Sequence, residues 1–418
     1  MTLDSTFQFV MSAAWAVAVF TAVVSLAGLM TWGERKLASM IQDRIGPNRA
    51  NIRLTYHPWP FGPKRSVNLT AIGLFHIMAD PVKLFFKEDF IPAGANKILH
   101  TLAPMISLGV PFVVFSVLPF AGPLHIQWRD FTADELYLAW LFSGQVLHLS
   151  DYTLKFVVAD LDVGMIFVFA VSSLAVYGVI LSGWSSNNKF SFLGALRGAN
   201  QMISYEVSLG LCAVGLFMIY GGLSLSSLNN GQGELLLGVI PKWGIITQPL
   251  AFILFLTCGM AEIKRIPFDL PEGESEIVAG YFLEYSSMKF TMFMFGEYVE
   301  MILLAGVITT LFFGGWQIPW VSPEGIHVLH WQLLWSDTFL SGLGATGIHI
   351  LIALLQAGKF ATCTVVWVYL IFMIRWTFPR FRYDQVMKLG WQMILPLALI
   401  NIMVTGLILA FTRGWLNG

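Results

Sequence analysis

The sequence predicts an all-α polytopic membrane protein with eight transmembrane helices, an interfacial amphipathic helix and structured cytoplasmic loops. Three observations carry this. Hydrophobic residues make up 56% of the 418 and charged residues only 12%, against about 25% charged in soluble domains. Mean hydropathy is +0.70. Apolar runs of about 20 residues, the length that crosses a bilayer, recur along the whole chain.

The runs fall at 9–32, 98–120, 161–183, 202–222, 248–262, 289–314, 355–378 and 391–412, all in one membrane domain. The first has no basic start and is longer than a signal-peptide core, so it is expected to be a retained span. The fifth is short, as suits a span that ends at a functional loop. Of the 24 Lys and Arg residues, 19 lie in 33–97, 184–201, 263–289 and 375–390. That excess marks these segments as cytoplasmic and puts both termini outside. The run 338–357 is also apolar, but only Gly358 and Lys359 separate it from Phe360. No membrane turn fits there, so it is expected to lie on the outer surface and lead into a long seventh helix.

The segment 69–86 is of another kind. His76, Asp80 and Lys83 share one face, opposite Leu74, Ile77, Met78, Val82, Leu84 and Phe85. That period suits a helix lying in the interface. Cys212, Cys258 and Cys363 each stand alone within an apolar run, which argues against a metal cluster or a disulfide frame. No metal or covalent cofactor is expected in this chain, and a net charge of −1 gives no reason to expect a nucleic-acid partner.

The densest chemistry lies between Glu262 and Glu284, where six acids follow an apolar run: Glu262, Asp269, Glu272, Glu274, Glu276 and Glu284. Pro267 and Pro271 stiffen 263–270. Asp269 with Glu272 three residues later reads as an N-cap with its capping-box partner, opening a helix that carries Glu272, Glu276 and Glu284 on one face. Acids in a first helical turn also complement the helix dipole, but that explains neither Glu262 nor Glu284. Further acids fall within or at the ends of runs, at Glu34, Glu206, Glu297 and Glu300. Each costs on the order of 3 kcal/mol at a span centre. Glu34 pairing with Arg35 or Lys36 would be an ordinary interfacial arrangement. Several such acids in one bundle indicate a proton route.

Taken together, long ordered stretches resemble the quinone-site membrane subunit (subunit 1, or H) of respiratory complex I, NADH:quinone oxidoreductase. They are Glu34-Arg35-Lys36 with Gln42 to Asn48; Ala79-Asp80 with Lys83-Leu84 and Lys87-Glu88; and Gly183-Trp184 with Arg197 and Gln201 to Glu206. The rest are Ala261 to Glu276, Gly280 to Ser286, Glu297-Tyr298 and Pro379-Arg380 to Met387. Three apparent insertions, 51–67, 122–158 and 317–347, fall outside the resemblance, and the last two are expected on the outer face.

The resemblance implies a translocase subunit that is inactive alone. With hydrophilic neighbours, one of which carries the terminal iron–sulfur cluster, it walls a chamber for quinone (ubiquinone or menaquinone). Lipid and the neighbouring small membrane subunits are its other implied partners, and a bacterial inner membrane its location. It places a proton route on Glu206, Glu262, Glu274 and Glu297. The chamber and its loop take Glu34, Arg35, Ala79, Asp80, Arg265, Phe268, Asp269, Glu272, Glu276 and Glu284. Departures are His76 in place of a Gln-Pro pattern, Ser287 after Tyr285-Ser286, and Gln392 after Trp391. The third run has no acid inside, so one proton step there would use water or the hydroxyls of Ser172 or Ser173. The equivalent subunit of an energy-converting hydrogenase is the near alternative, and a stand-alone ion channel the distant one.

Overall fold

The computed structural model describes residues 3–56, 65–69, 71–126, 152–236, 239–273, 277–321, 325–328, 331–334 and 344–416. Nine helices organise them: α1 (Leu3–Ile41), α2 (His76–Phe85), α3 (Lys97–Phe115), α4 (Gly164–Ser185), α5 (Lys189–Tyr220), α6 (Pro249–Glu262), α7 (Ser287–Phe312), α8 (Gly344–Thr377) and α9 (Tyr383–Thr412). All but α2 and α6 are long and apolar enough to cross a membrane, and α6 is a shorter apolar helix of 14 residues. The chain is an all-α polytopic membrane protein. Its sheet content, among the described residues, is four two-stranded antiparallel hairpins.

Local chemistry sets the helix ends. Asn96 accepts from the N–H groups of Ile98 and Leu99 to open α3, and Asn188 accepts from Phe190 to open α5. Gly221 closes α5 in the left-handed region at φ 73°. Pro249 stands at the start of α6, where its missing N–H costs nothing. At 1.5 Å per residue α6 is about 21 Å long, short of a hydrocarbon core of about 30 Å. A chain that enters α6 at one membrane face therefore leaves it, at Glu262, before the other.

Helix α7 is the axis of the bundle, buried without interruption from Met301 through Phe312. It packs on α1, α3 and α8, while α5 packs on α4, α6 and α9. Between α5 and α7 the loop after α6 is drawn tight at one contact. A Cβ at Gly194 would stand 2.7 Å from the Cα of Gly280, whose own φ is 61° and whose Cβ would overlap the carbonyl oxygen of Pro271. Gly280→Ala is therefore expected to be disruptive, costing about 1–3 kcal/mol from backbone strain alone. The amount of chain incorporated into membranes should fall, whereas Gly210→Ala, in open space, should leave it unchanged.

Several expectations are corrected. Helix α1 runs to Ile41 rather than ending at residue 32, so Glu34 and Arg35 belong to the helix. The third apolar run breaks between Ser172 and Ala175, where the Ser172 and Ser173 hydroxyls donate back to the carbonyls of Phe169 and Ala170, a bond that bends helices. Residues 344–357 are not a separate surface element but the first turns of α8. No turn occurs at Lys359, because α8 runs through it, and its ammonium donates to the carbonyls of Phe313 and Gly315 just past the end of α7. The interfacial helix begins at His76, not residue 69, because Leu69 closes a hairpin (Ile52–Tyr56 with Arg65–Leu69) and Ala71 and Ile72 have positive φ. Asp269 does not cap a helix. The chain is irregular from Asp269 to Gly273, and Asp269 is instead bonded to Arg380.

Candidate functional site

Glu34 is the hub. It is 5% exposed and is reached by side chains from three other segments. The Tyr298 hydroxyl of α7 donates to its Oε2 at 2.6 Å. Arg265, from the loop after α6, approaches Oε1 at 3.4 Å, and Arg375 near the end of α8 donates to the same oxygen. Arg265 also places Nε 3.1 Å from Oε2 of Glu297 and its guanidinium 4.8 Å from the Tyr298 ring centroid. Burial pulls the Arg265 pKa down, but Glu297, Tyr298 and Glu272 hold it above its ordinary value, so it is a permanent cation. The Tyr281 hydroxyl donates to Glu297 Oε1 at 3.4 Å.

Beside this hub a second group of acids lines a cavity of about 50 Å³, with Glu262, Glu300 and Ser172 among its walls and Met202, Phe255 and Leu304 as apolar lining. Such a volume has room for water, which needs roughly 10–15 Å³. Lys264 lies 3.6 Å from Glu300. Glu206 on α5 is half-buried and within electrostatic reach of Glu262. Glu297 and Glu300, one turn apart on α7, each have a cation of their own, Arg265 and Lys264.

The loop is pinned from both sides. Gln201 Nε2 donates to the carbonyls of Ala261 and Phe268, at 2.7 and 2.8 Å. Arg380 donates to Asp269 at 2.6 Å, and the Phe381 N–H donates to Pro267 O at 3.1 Å. Phe268 is buried between Tyr205 and Phe381. Burial pushes the Glu272 pKa well above its ordinary value, and the neighbouring Glu297 carboxylate adds to this.

Burial likewise pushes Asp269 up to about 6 from 3.8, against the pull of Arg380. The folded loop therefore binds more protons than the unfolded chain in this range, and the contribution of Asp269 to its stability is lost as pH rises from 3.8 to about 6. Limited proteolysis of the loop should increase across that window in the wild type and rise less steeply in Asp269→Asn, where the raised Glu272 still contributes.

Of the expected site residues, the structure brings together Glu34, Arg265, Asp269, Glu272 and Glu297, and beside them Glu206 and Glu262. Arg35 forms a separate partly exposed pair with Asp80 at 2.5 Å, so Glu34 pairs with neither Arg35 nor Lys36. Ala79 is exposed on α2. Glu284 lies apart, bonded to Asn188 at 2.6 Å rather than sharing a helical face with Glu272. Glu274 and Glu276 lie outside the described residues. Sequence reasoning missed Tyr298, Arg375, Arg380, Tyr281 and Lys264 as parts of the site. Arg380 stood in a stretch that carries the family resemblance, whereas Arg375 was marked by its place in a basic segment at the end of an apolar run.

This architecture defines a class: a polytopic membrane protein in which buried ion pairs join an irregular loop to carboxylates inside the helix bundle. A family model described as NADH dehydrogenase matches residues 14–406. In Cytophaga hutchinsonii, the H subunit of NADH-quinone oxidoreductase that is numbered 1 is 37% identical over 389 residues, covering 93% of this chain and 94% of the relative. The H subunit numbered 1 in Geobacter metallireducens is 39% identical over 391 residues, covering 94% of each. That of Flavobacterium psychrophilum is 37% identical over 393 residues, covering 94% and 95%. The chain belongs to this family, the H-type membrane subunits of NADH-quinone oxidoreductase, and is one part of a multi-subunit enzyme rather than an enzyme by itself.

Proposed function

We propose that this chain walls the quinone-binding chamber of a proton-pumping NADH:quinone oxidoreductase and couples quinone reduction to proton movement through its buried glutamates. The observation that carries the reading is the unbroken adjacency of two groups. The Glu34–Arg265–Glu297 hub lies at the loop, and the Glu262–Glu300 cavity lies beside it within the bundle. Quinone, held by this chain and hydrophilic neighbours that carry the terminal iron–sulfur cluster, takes two electrons and two protons. The charge change reaches the hub first, and Asp269 and Glu272 respond by binding or releasing protons. Glu274 and Glu276 belong to the same acidic loop. Arg35, Ala79 and Asp80 form the chamber mouth with α2, and Glu206, Glu262 and Glu297 carry the proton inward.

In this reading the loop faces the cytoplasm of a bacterial inner membrane, and both termini face outward. The insertions 122–158 and 317–347 share the outer face, in keeping with the bond from the Gly122 N–H to Gln356 on α8. Affinity isolation of the chain in mild detergent tests the assignment. Inhibitor-sensitive NADH:quinone reduction should co-purify with it. Recovery of a hydrogenase module, or of the chain alone, would overturn it.

A further inference from the structure

Lys264 is a buried cation that the reading above leaves without a task. Its side chain is 1% exposed, and it lies two residues beyond Glu262 at φ 63°, in the left-handed region. Its Nζ is 3.6 Å from Glu300 Oε2 and 5.9 Å from the Tyr281 ring centroid. Neither carboxylate oxygen of Glu300 has a hydrogen-bond partner among the described residues. Buried pairs that serve stability have good geometry, with hydrogen bonds that satisfy the remaining lone pairs. This one has not, although Glu300 opens on the cavity it shares with Glu262 and Ser172. On its other side, Lys264 faces Tyr281, whose hydroxyl reaches Glu297.

We infer that Lys264 carries protons between the Glu297 side of the site and the Glu262–Glu300 cavity, an inference that rests on the proton-route reading. An Nζ–H bond of Lys264 breaks as an O–H bond forms on Glu300, leaving a neutral amine beside a neutral acid. Desolvation favours this exchange, since it removes two charges from a dry site. Glu300 passes the proton through cavity water to Glu262. The amine lone pair then takes a proton arriving from the Glu297 side past Tyr281, and the Lys264–Glu300 ion pair is restored. One proton enters and one leaves in each cycle. Among the described residues, the titratable and charged groups around Lys264 are Glu297 and Glu300 from α7, Tyr281 and Glu272 from the loop, Glu262 and Arg265 on either side in its own segment, and Glu206 from α5 beyond Glu262.

The test uses the whole complex in inverted membrane vesicles, reading NADH-driven acidification across pH together with assembly on a native gel. Lys264→Arg keeps the charge but cannot release a proton. Lys264→His can carry one but titrates lower, and Lys264→Asn carries none. Histidine and asparagine also suit a positive φ. Lys264→Arg and Lys264→Asn should each slow pumping about a hundredfold, the scale of a lost proton-transfer group. Lys264→His should pump faster than Lys264→Asn, with its optimum moved to lower pH. A fixed countercharge predicts the reverse, with arginine normal and histidine inactive at about pH 8. Wild-type pumping by Lys264→Arg, or Lys264→His no better than Lys264→Asn, overturns the inference. If Lys264→Arg fails to assemble, the His and Asn comparison decides. Glu262→Gln, run alongside, separates the two levels. Normal pumping there overturns the proton route itself, whereas a blocked Glu262→Gln beside a normal Lys264→Arg overturns only the role of Lys264.

Discussion

Glu262→Gln should leave the complex assembled and reduce proton pumping about a hundredfold, the usual scale for removing a positioned proton-transfer group. Glutamine preserves the size of the side chain at the end of α6 and removes its ionisable carboxyl. The site is built to make that loss visible. Glu262 shares its cavity with Glu300 and Ser172 and lies within electrostatic reach of Glu206, so it stands between the acid on α5 and those on α7. Quinone reduction in tightly coupled vesicles should slow in step with pumping. The measurement is acidification of inverted vesicles on NADH addition, with complex content fixed by a native gel. Undiminished acidification would remove Glu262 from the route.

Arg265→Ala should have the larger structural effect. The guanidinium serves Glu34 and Glu297, which are 5% and 3% exposed, and it stacks over Tyr298. Without it Glu34 keeps Arg375 and Tyr298, whereas Glu297 loses its paired cation and keeps the Tyr281 hydroxyl. Leaving one charge of a buried pair uncompensated costs about 3–5 kcal/mol. The expected result is a several-fold loss of assembled complex, with quinone reduction strongly impaired in what remains. Arg265→Lys should fall between, since a lysine restores the charge but not the fork that engages two carboxylates at once. Normal quinone kinetics in Arg265→Ala would show that the hub is only structural packing.

The helices were legible because each apolar run is long and the polar stretches between them are distinct. What was not legible were the pairings, because a salt bridge is a property of three-dimensional proximity. Glu34 shows this. Its sequence neighbours Arg35 and Lys36 were the obvious partners, but on a continuous α1 adjacent residues point in different directions, and Glu34 turns inward while Arg35 meets Asp80 on α2. Asp269 shows a second cause. The spacing to Glu272 matches a capping box, but the tertiary fold sets Asp269 against Arg380, where both partners of the bond are charged. The family resemblance named Glu34, Glu206, Glu262, Asp269, Glu272 and Glu297, which lie near one another in the fold. It could not say that Glu284 would bond Asn188 or that Lys264 would be sealed inside.

The bonds of Glu34 also bear on how the chain is made. Its partners follow it by 231, 264 and 341 residues. A membrane chain synthesised from its N-terminus must therefore carry this carboxylate without its native cations while the intervening helices are still being inserted. The site for its charge is complete only when the end of α8 has emerged from the ribosome, which makes Arg375 a late checkpoint for completion of the bundle. Nascent chains halted before residue 375 should leave α1 open to quality-control proteolysis, and chains halted after it should be protected.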